Sequence, residues 1–385
     1  MRLLITGDFC PIGRTKEYLQ PNRFGELFNG FEKIVEKVDY AVVNFECPVT
    51  TSTTKIDKTG PCLKTENLNS LKALQFAGFN LLTLANNHIQ DYGGQGVLDT
   101  IQHVEDAGFD LVGAGKNKTE ASKPFETEIK GLKIGFLNIA ENEFCAATET
   151  MAGANTFDLI ENVSAIHRLR ERVDKVILIY HGGREHYQLP TPEQRKRFRF
   201  FVENGVDAIV AHHTHCVSGF EYYKNKPIIY SLGNFIFDYK KKYQKGIWTE
   251  GMSVVLSLDD KLSDFKIEFL PHLQGRVENS TLVLIEGEEK ESFIKNIHNL
   301  STKITDDKLF FEEWEKYIDT QEPYYLPSLY VKNLYLRALF MKGLLPISLL
   351  KTKHRLLALN LMRCEAHSEI LKKILNKKYE NSNSL

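Results

Sequence analysis

Carboxylate, amide and imidazole side chains gather in this sequence at the ends of short apolar runs: Asp8 after Gly7, Asn44 and Glu46 around Phe45, Asn87 and His88 after Asn86, His181, and the run His212-His213-Thr214-His215. Together they form a donor set of the kind that holds one or two divalent cations, imidazole suiting zinc, iron or nickel and carboxylate also admitting manganese or magnesium. Two cations bridged by one carboxylate activate a water and steady the charge on a phosphoryl or acyl oxygen, so the chemistry on offer is hydrolysis. Singly, each cluster has a plainer reading. Gly7-Asp8 can be a turn, asparagines stabilise turns, and a lone histidine is more often a satisfied core or surface residue than a catalyst. The metal reading rests on their convergence. Asn44 and Glu46 lie two apart, so in an extended segment both face one side while Phe45 faces the other, which suits a metal carboxylate beside an amide that binds water or substrate. His213 and His215 repeat that alternation after their own apolar strand.

Strands must carry these clusters. Apolar runs at 3–6, 41–45, 81–85, 133–139, 176–180, 208–211 and 228–231 alternate with segments of helical period at 67–77, 96–107, 162–173 and 192–204, and Gly78, Gly108 and Gly205 read as helix stops. This order predicts an α/β protein with helices outside its sheets, and open α/β folds bind ligands on the loops that leave their strands. Runs at 252–258 and 264–270 read as two closing strands. Gly233 permits a tight turn after the run from Pro227, and Asn234 beside it can hydrogen-bond and orient a ligand loop. Asp238 reads equally as a second such partner or as a solvated strand end.

A chain of 385 residues, 42% hydrophobic and 26% charged, is ordinary for a soluble globular protein and long enough for one large core with an appendage. A net charge of -1 supplies no excess of lysine and arginine for a phosphate backbone, so no nucleic-acid partner is expected. The six cysteines form no CxxC pair, which points to a reducing compartment. The N-terminus enters a strand at once, and no apolar run reaches the roughly 18 residues of a membrane span, so a cytoplasmic protein is expected. From Lys290 the pattern is helical, and Ser328 to Lys378 carries eleven lysines or arginines against Glu365 and Glu369. Two readings of that region stay open: a helical cap packed on the core, or a basic amphipathic surface in peripheral contact with anionic lipid or polymer machinery.

The motifs also carry a resemblance. Gly7-Asp8 with Gly13-Arg14, the run Asn44-Phe45-Glu46-Cys47-Pro48-Val49-Thr50, Ala85-Asn86-Asn87-His88 with Asp91-Tyr92-Gly93, His181-Gly182-Gly183-Arg184-Glu185, and Gly205 through Asp238 resemble the poly-γ-glutamate capsule synthesis (CapA-like) family over about residues 1 to 250. That family is similar to the calcineurin-like metallophosphoesterases. The resemblance implies a four-layer α/β/β/α sandwich at 1–275, followed by a helical C-terminal extension at 276–385, with two divalent ions, Mn, Fe or Zn, at the strand ends. It makes Asp8, Glu46, Asn87, His181, His213 and His215 metal ligands, with Glu46 as the bridge. His88 becomes the general acid. Arg14 is read as a clamp for an anionic small molecule or polymer, its planar fork suiting phosphate or carboxylate, and Asn44 and Arg184 as further substrate contacts. Three departures stand out: Cys10 where many phosphoesterases have a histidine, Glu46 for their usual aspartate, and His212 and Gly182 for the family's glycine and tryptophan. Gly182 is expected to widen the pocket entrance.

Three function classes follow. The first is a metal-dependent hydrolase of phosphate esters in capsule or surface-polymer biosynthesis, using metal-activated water. The second is an enzyme acting on amide or γ-glutamyl polymer bonds with the same metals. The third is a non-catalytic component of a polymer-assembly complex.

Overall fold

A computed structural model describes residues 1–260, 263–350 and 354–382. Its first sheet has eight strands, running Val283–Leu284, Lys266–Leu273, Glu250–Ser257, Arg2–Phe9, Tyr40–Phe45, Leu81–Thr83 and Asp110–Val112, with Asn234–Ile236 paired alongside Arg2–Phe9. A second sheet of six runs Phe220–Tyr223, Lys226–Ile229, Ala208–His212, Lys175–His181, Leu132–Ala140 and Phe125–Ile129. The central strands of each sheet are parallel to one another.

Alternation along the strands builds the layers. Leu3, Ile5 and Val42 join a buried cluster with Ile134, Ile177, Ile179 and Val210 of the second sheet. Their neighbours Leu4, Ala41 and Val43 join a different one, with Leu71, Leu74, Val97 and Val104 from helices Asn69–Ala77 and Gly93–Asp106. Successive side chains on a strand face opposite ways, so the first sheet is sandwiched between helices and the second sheet. Ile166, Leu169, Phe198 and Phe201 of helices Leu159–Arg170 and Pro192–Glu203 are buried against the second sheet. The result is the four-layer α/β/β/α sandwich, and each fully buried Leu, Ile or Phe contributes about 1.5–3 kcal/mol to it. Local signals set the helix starts. Asp158 accepts from the Glu161 amide at 3.0 Å, and Thr191 from the Gln194 amide at 3.1 Å ahead of Pro192.

The compact unit runs from Met1 to Phe310, past the 275 boundary expected from sequence. Helix Gly287–Thr305 accounts for the difference: Ile297, Leu300 and Ile304 are buried, and Ser301 Oγ accepts from the Phe220 amide at 2.9 Å. Arg195 closes the far end by donating to the Ile304 carbonyl at 2.7 Å. The second unit, Phe311–Leu385, is helical in its described residues, with helices Leu334–Met341, His354–Arg363 and Glu365–Ser382. Leu334, Leu344, Leu356 and Met362 are exposed there, as are Lys332, Lys342, Arg363, Lys372 and Lys373. Lys351 and Lys353 of the basic run, and 383–385 of the polar tail, lie outside the described residues. Among the described residues no helix is long and apolar enough to cross a membrane. All six cysteines are free thiols.

Candidate metal centre

The first strand delivers Asp8 through an irregularity. Its register with Tyr40–Phe45 shifts between Thr6 and Asp8, a bulge of the kind that re-aims a side chain. Gly7 makes this possible, because a Cβ there would stand 2.2 Å from the Gly233 carbonyl oxygen. Gly233 itself has φ +65°, so the close pairing of the two chain segments rests on two glycines.

Around Asp8 the other donors converge, all buried. Glu46 Oε1 lies 3.5 Å from His181 Nε2 and 3.8 Å from His215 Nε2, while Asp8 Oδ2 lies 3.7 Å from His215 Nδ1. Asn87 Oδ1 and His213 Nδ1 stand 3.1 and 3.2 Å from His181 Nε2. Two groups of ligand atoms result, Glu46 with His181 and His213, and Asp8 with Glu46 and His215, each within a 4.8 Å span. Glu46 belongs to both. Neither of its buried oxygens receives a hydrogen bond, and burial together with the negative charge of Asp8 pushes its carboxyl well above the ordinary range. Burial holds His181, His213 and His215 below the usual imidazole value, reinforced at His181 by the neighbouring His213 and at His213 by His215, with His213 at about 4. Neutral imidazoles leave ring lone pairs for a cation, and a cation's charge would offset the burial and the Asp8 repulsion that otherwise favour the protonated form of Glu46. The residues therefore fit a divalent metal site.

The two histidines of the last loop do not reach the site by strand alternation. The strand Ala208–His212 ends before them, and His213 and His215 have φ of 89° and 54°. A left-handed turn, sparsely populated by residues other than glycine, brings both rings round, with their centroids 6.0 Å apart. His212 points elsewhere: its Nε2 lies 2.9 Å from the Thr6 carbonyl and ties the two sheets together.

Partners behind the ligands fix their orientation. Asn234 Oδ1 lies 2.9 Å from His215 Nδ1 and its Nδ2 donates to the Trp248 carbonyl at 3.0 Å. The proton of His215 therefore sits on Nδ1, leaving Nε2 toward Glu46. Asn44 does a similar task rather than meeting substrate: its Nδ2 donates to Asp8 Oδ1 at 2.7 Å and lies 3.2 Å from His181 Nδ1, and its oxygen accepts from Thr83 at 3.2 Å. Arg14 is not a free clamp either. Its fork is spent on Asp238, at 3.0 Å from Nε and 2.7 Å from an Nη, and on the Val277 and Arg276 carbonyls at 2.9 and 2.7 Å. Asp238, buried, pushes the Arg14 guanidinium's pKa up. The arginine thus secures the connection between the strands Lys266–Leu273 and Val283–Leu284 instead of an anion.

A cavity of about 180 Å³ opens beside the centre. Asn87, His88 and His215 line it together with the aromatic residues Tyr239, Tyr243 and Trp248. The His181 turn contributes Glu185 to the lining; Arg184, partly buried just before it, is not among the lining residues. Gly182 does not open the entrance, because Glu141 fills the place its Cβ would take, at 2.3 Å. Cys10 stays a buried thiol, its pKa raised by burial and then by the adjacent Cys47, and is in neither ligand group. His88 Nδ1 lies 2.6 Å from Asp91 Oδ2. A carboxylate only accepts, so the proton is on Nδ1 and Nε2 is the nitrogen left for the cavity. Sequence reading missed Lys58, Glu143 and Glu185 as lining residues. Glu185 followed the quoted glycines and could have been found; Lys58 and Glu143 stand in loops with no distinguishing pattern.

Two parallel-centred sheets between helices, with a shared-carboxylate ligand pair at their strand ends, make this a protein of metallophosphoesterase-like fold. Solved structures it is similar to include a putative 5'-nucleotidase from Staphylococcus aureus in complex with alpha-ketoglutarate, 13% identical with TM-score 0.45 over 77% of this chain and 58% of that one. Another is a hypothetical protein from Thermus thermophilus, 14% identical with TM-score 0.45 over 70% of this chain and 99% of that one. The sequence narrows the class: residues 2–239 match the bacterial capsule synthesis protein family PGA_cap, and the chain belongs to that family. It is 33% identical over 253 residues to the capsule biosynthesis protein CapA of Bacillus anthracis, covering 62% of this chain and 60% of that protein. To the PGA biosynthesis protein CapA of Bacillus subtilis (strain 168) it is 33% identical over 216 residues, 55% of this chain and 57% of that protein. The matched part thus spans less than two thirds of either relative.

Proposed function

We propose that this protein is a metal-dependent phosphoester hydrolase serving capsule or surface-polymer biosynthesis. The observation that carries this reading is Glu46, buried, without a hydrogen-bond donor and common to both ligand groups. Asp8, Glu46 and His215 would hold one divalent ion, and Glu46, His181, His213 and Asn87 the other. Bound there, such ions supply Lewis acidity toward an ester oxygen and toward water. The chain's own residues do the rest. Asn44 and Asn234 keep Asp8, His181 and His215 in orientation. Asp91 fixes the His88 ring with Nε2 toward the cavity, where its imidazolium form donates a proton to the departing oxygen.

A second reading, hydrolysis of amide bonds in a γ-glutamyl polymer, is favoured by one feature of the same cavity. Glu143 and Glu185 put two carboxylates on its lining, which suits the terminal ammonium group of such a chain, and Lys240 on the same lining suits one of its free carboxylates. Phosphate release from aryl phosphate mono- and diesters separates the two. Turnover with Mn²⁺ that chelation removes is expected; metal-loaded protein that cleaves neither ester but cleaves γ-glutamyl peptides would transfer the site to the second reading.

The helical unit suggests where the protein works. Exposed Leu334, Leu344 and Met362 beside exposed Lys332, Lys342 and Arg363 suit docking on anionic lipid. The protein is expected to float with phosphatidylglycerol vesicles, to release them as salt rises, and to ignore phosphatidylcholine vesicles. Equal recovery with both lipids would remove the electrostatic part of this reading.

A further inference from the structure

The segment from Thr51 to Lys64 lies between the strand that ends just before Glu46 and the next helix, and it has no regular structure apart from a bend at 59–60. Its middle nonetheless forms part of the cavity: Lys58, Gly60, Pro61 and Leu63 are lining residues, as are Tyr243 and Trp248. One buried carboxylate holds this strap in place. Asp91 is fully buried, and its two oxygens receive the Lys58 ammonium on one side and the Leu63 amide, at 2.6 Å, on the other. The Asp91 carbonyl also accepts from the Ile56 amide at 3.1 Å. The oxygen that receives Leu63 is the one that holds His88 Nδ1 at 2.6 Å. Lys58 reaches further still, donating to the Asn87 carbonyl at 3.2 Å. Its side chain is only 3% exposed.

A lysine is seldom buried unless it is paired, and its flexible stem loses rotamer freedom when it is held. Here the pairing joins three things that the chemistry needs together: the strap, the ring that faces the cavity, and the backbone of a ligand asparagine. We propose that Lys58 is a positioning residue, an ammonium latch that holds the 51–64 strap closed and acts through Asp91 to aim His88 into the cavity. Asp91 without Lys58 is a buried carboxylate lacking its counter-charge, free to draw in water or turn from His88. The functional half of this inference rests on His88 being the proton donor; the latch itself does not.

Two readouts test it separately. Hydrogen exchange followed by mass spectrometry reads the strap: in Lys58→Met, peptides covering 51–64 should exchange about tenfold faster or more, the loss of one tenfold factor in local closing, while the sheet strands keep wild-type protection. Steady-state kinetics reads His88: Lys58→Met should lower kcat about tenfold or more with KM nearly unchanged, and should add nothing in a His88→Ala background. Lys58→Gln, which keeps a donor for the Asn87 carbonyl but not the charge, gives the same comparison should the methionine variant fail to fold. Wild-type exchange across 51–64 in both variants overturns the latch. A kcat loss that persists undiminished in the His88→Ala background overturns the action through His88. If the wild-type protein turns over no substrate, the hydrolase reading has failed, and the exchange experiment still decides the latch.

Discussion

Glu46→Gln is expected to abolish stabilisation by added divalent cation while leaving the metal-free protein at least as stable as wild type. The two effects have one cause. In the metal-free fold Glu46 is a fully buried carboxyl whose oxygens receive no hydrogen bond and which faces Asp8. An unsatisfied buried polar group of this kind costs about 1–3 kcal/mol, more when charged. An amide of the same shape cannot carry the charge that burial and Asp8 disfavour, and adds two donors next to Asp8 and His181, so the fold loses nothing. The cation, however, loses the ligand that belongs to both groups. A ligand present at about a hundred times its Kd stabilises a fold by about 2.7 kcal/mol, and that increment should vanish from the melting curve with Mn²⁺. His213→Ala is the control, because His213 belongs to one group only; it should lose part of the bound metal and keep the rest. If the Gln variant still melts higher with Mn²⁺ by the wild-type increment, Glu46 is not the shared ligand.

This site was largely legible in the sequence because its donors stand where apolar runs stop. A parallel strand buried on both faces reads as an unbroken Val, Ile and Leu run, and the loop after it has to begin with whatever the site needs. Lys175–His181 and Ala208–His212 are cases in point, every residue buried and the ligands at or just past the end. What stayed hidden was set by partners distant in the chain. Beside Asp8, Arg14 looks like an anion clamp, and nothing local says that Asp238, 224 residues on, will take its fork. Helix Gly287–Thr305 is amphipathic like the helices that follow, and partners far back in the chain, Phe220 at Ser301 and Arg195 at Ile304, assign it to the first unit. Backbone conformation was hidden too. The spacing of His213 and His215 fits a strand and a left-handed turn equally, and the turn is what the chain adopts. Both routes put the rings together, so the spacing alone does not tell which backbone carries them.

His88→Ala should lower kcat by about 10²- to 10⁴-fold, the range removed with a general acid, while metal content and melting temperature stay near wild type. Position supports the separation. His88 is in neither ligand group, its ring is held by Asp91 rather than by Asp8 or Glu46, and its backbone amide donates to Asn86 at 3.1 Å, a bond that alanine keeps. The loss should also depend on the substrate. A leaving group that departs readily as an anion needs little help from a proton donor, whereas an alkyl alcohol cannot leave without one. The variant should therefore retain much of its turnover on nitrophenyl phosphate and lose most of it on an alkyl phosphate, with KM little changed on either. A uniform loss on both esters would point instead to His88 binding the phosphoryl group, since an interaction with the equatorial oxygens is made whatever group leaves. The same comparison bears on the aromatic lining. Tyr243 and Trp248, both lining the cavity, stack at 4.6 Å, and an aryl ester can lie against them where an alkyl ester cannot, which raises KM for the alkyl ester in wild type and variant alike. Because that term is common to both proteins it cancels in the ratio of their kcat values, and the leaving-group dependence that remains belongs to the proton on His88.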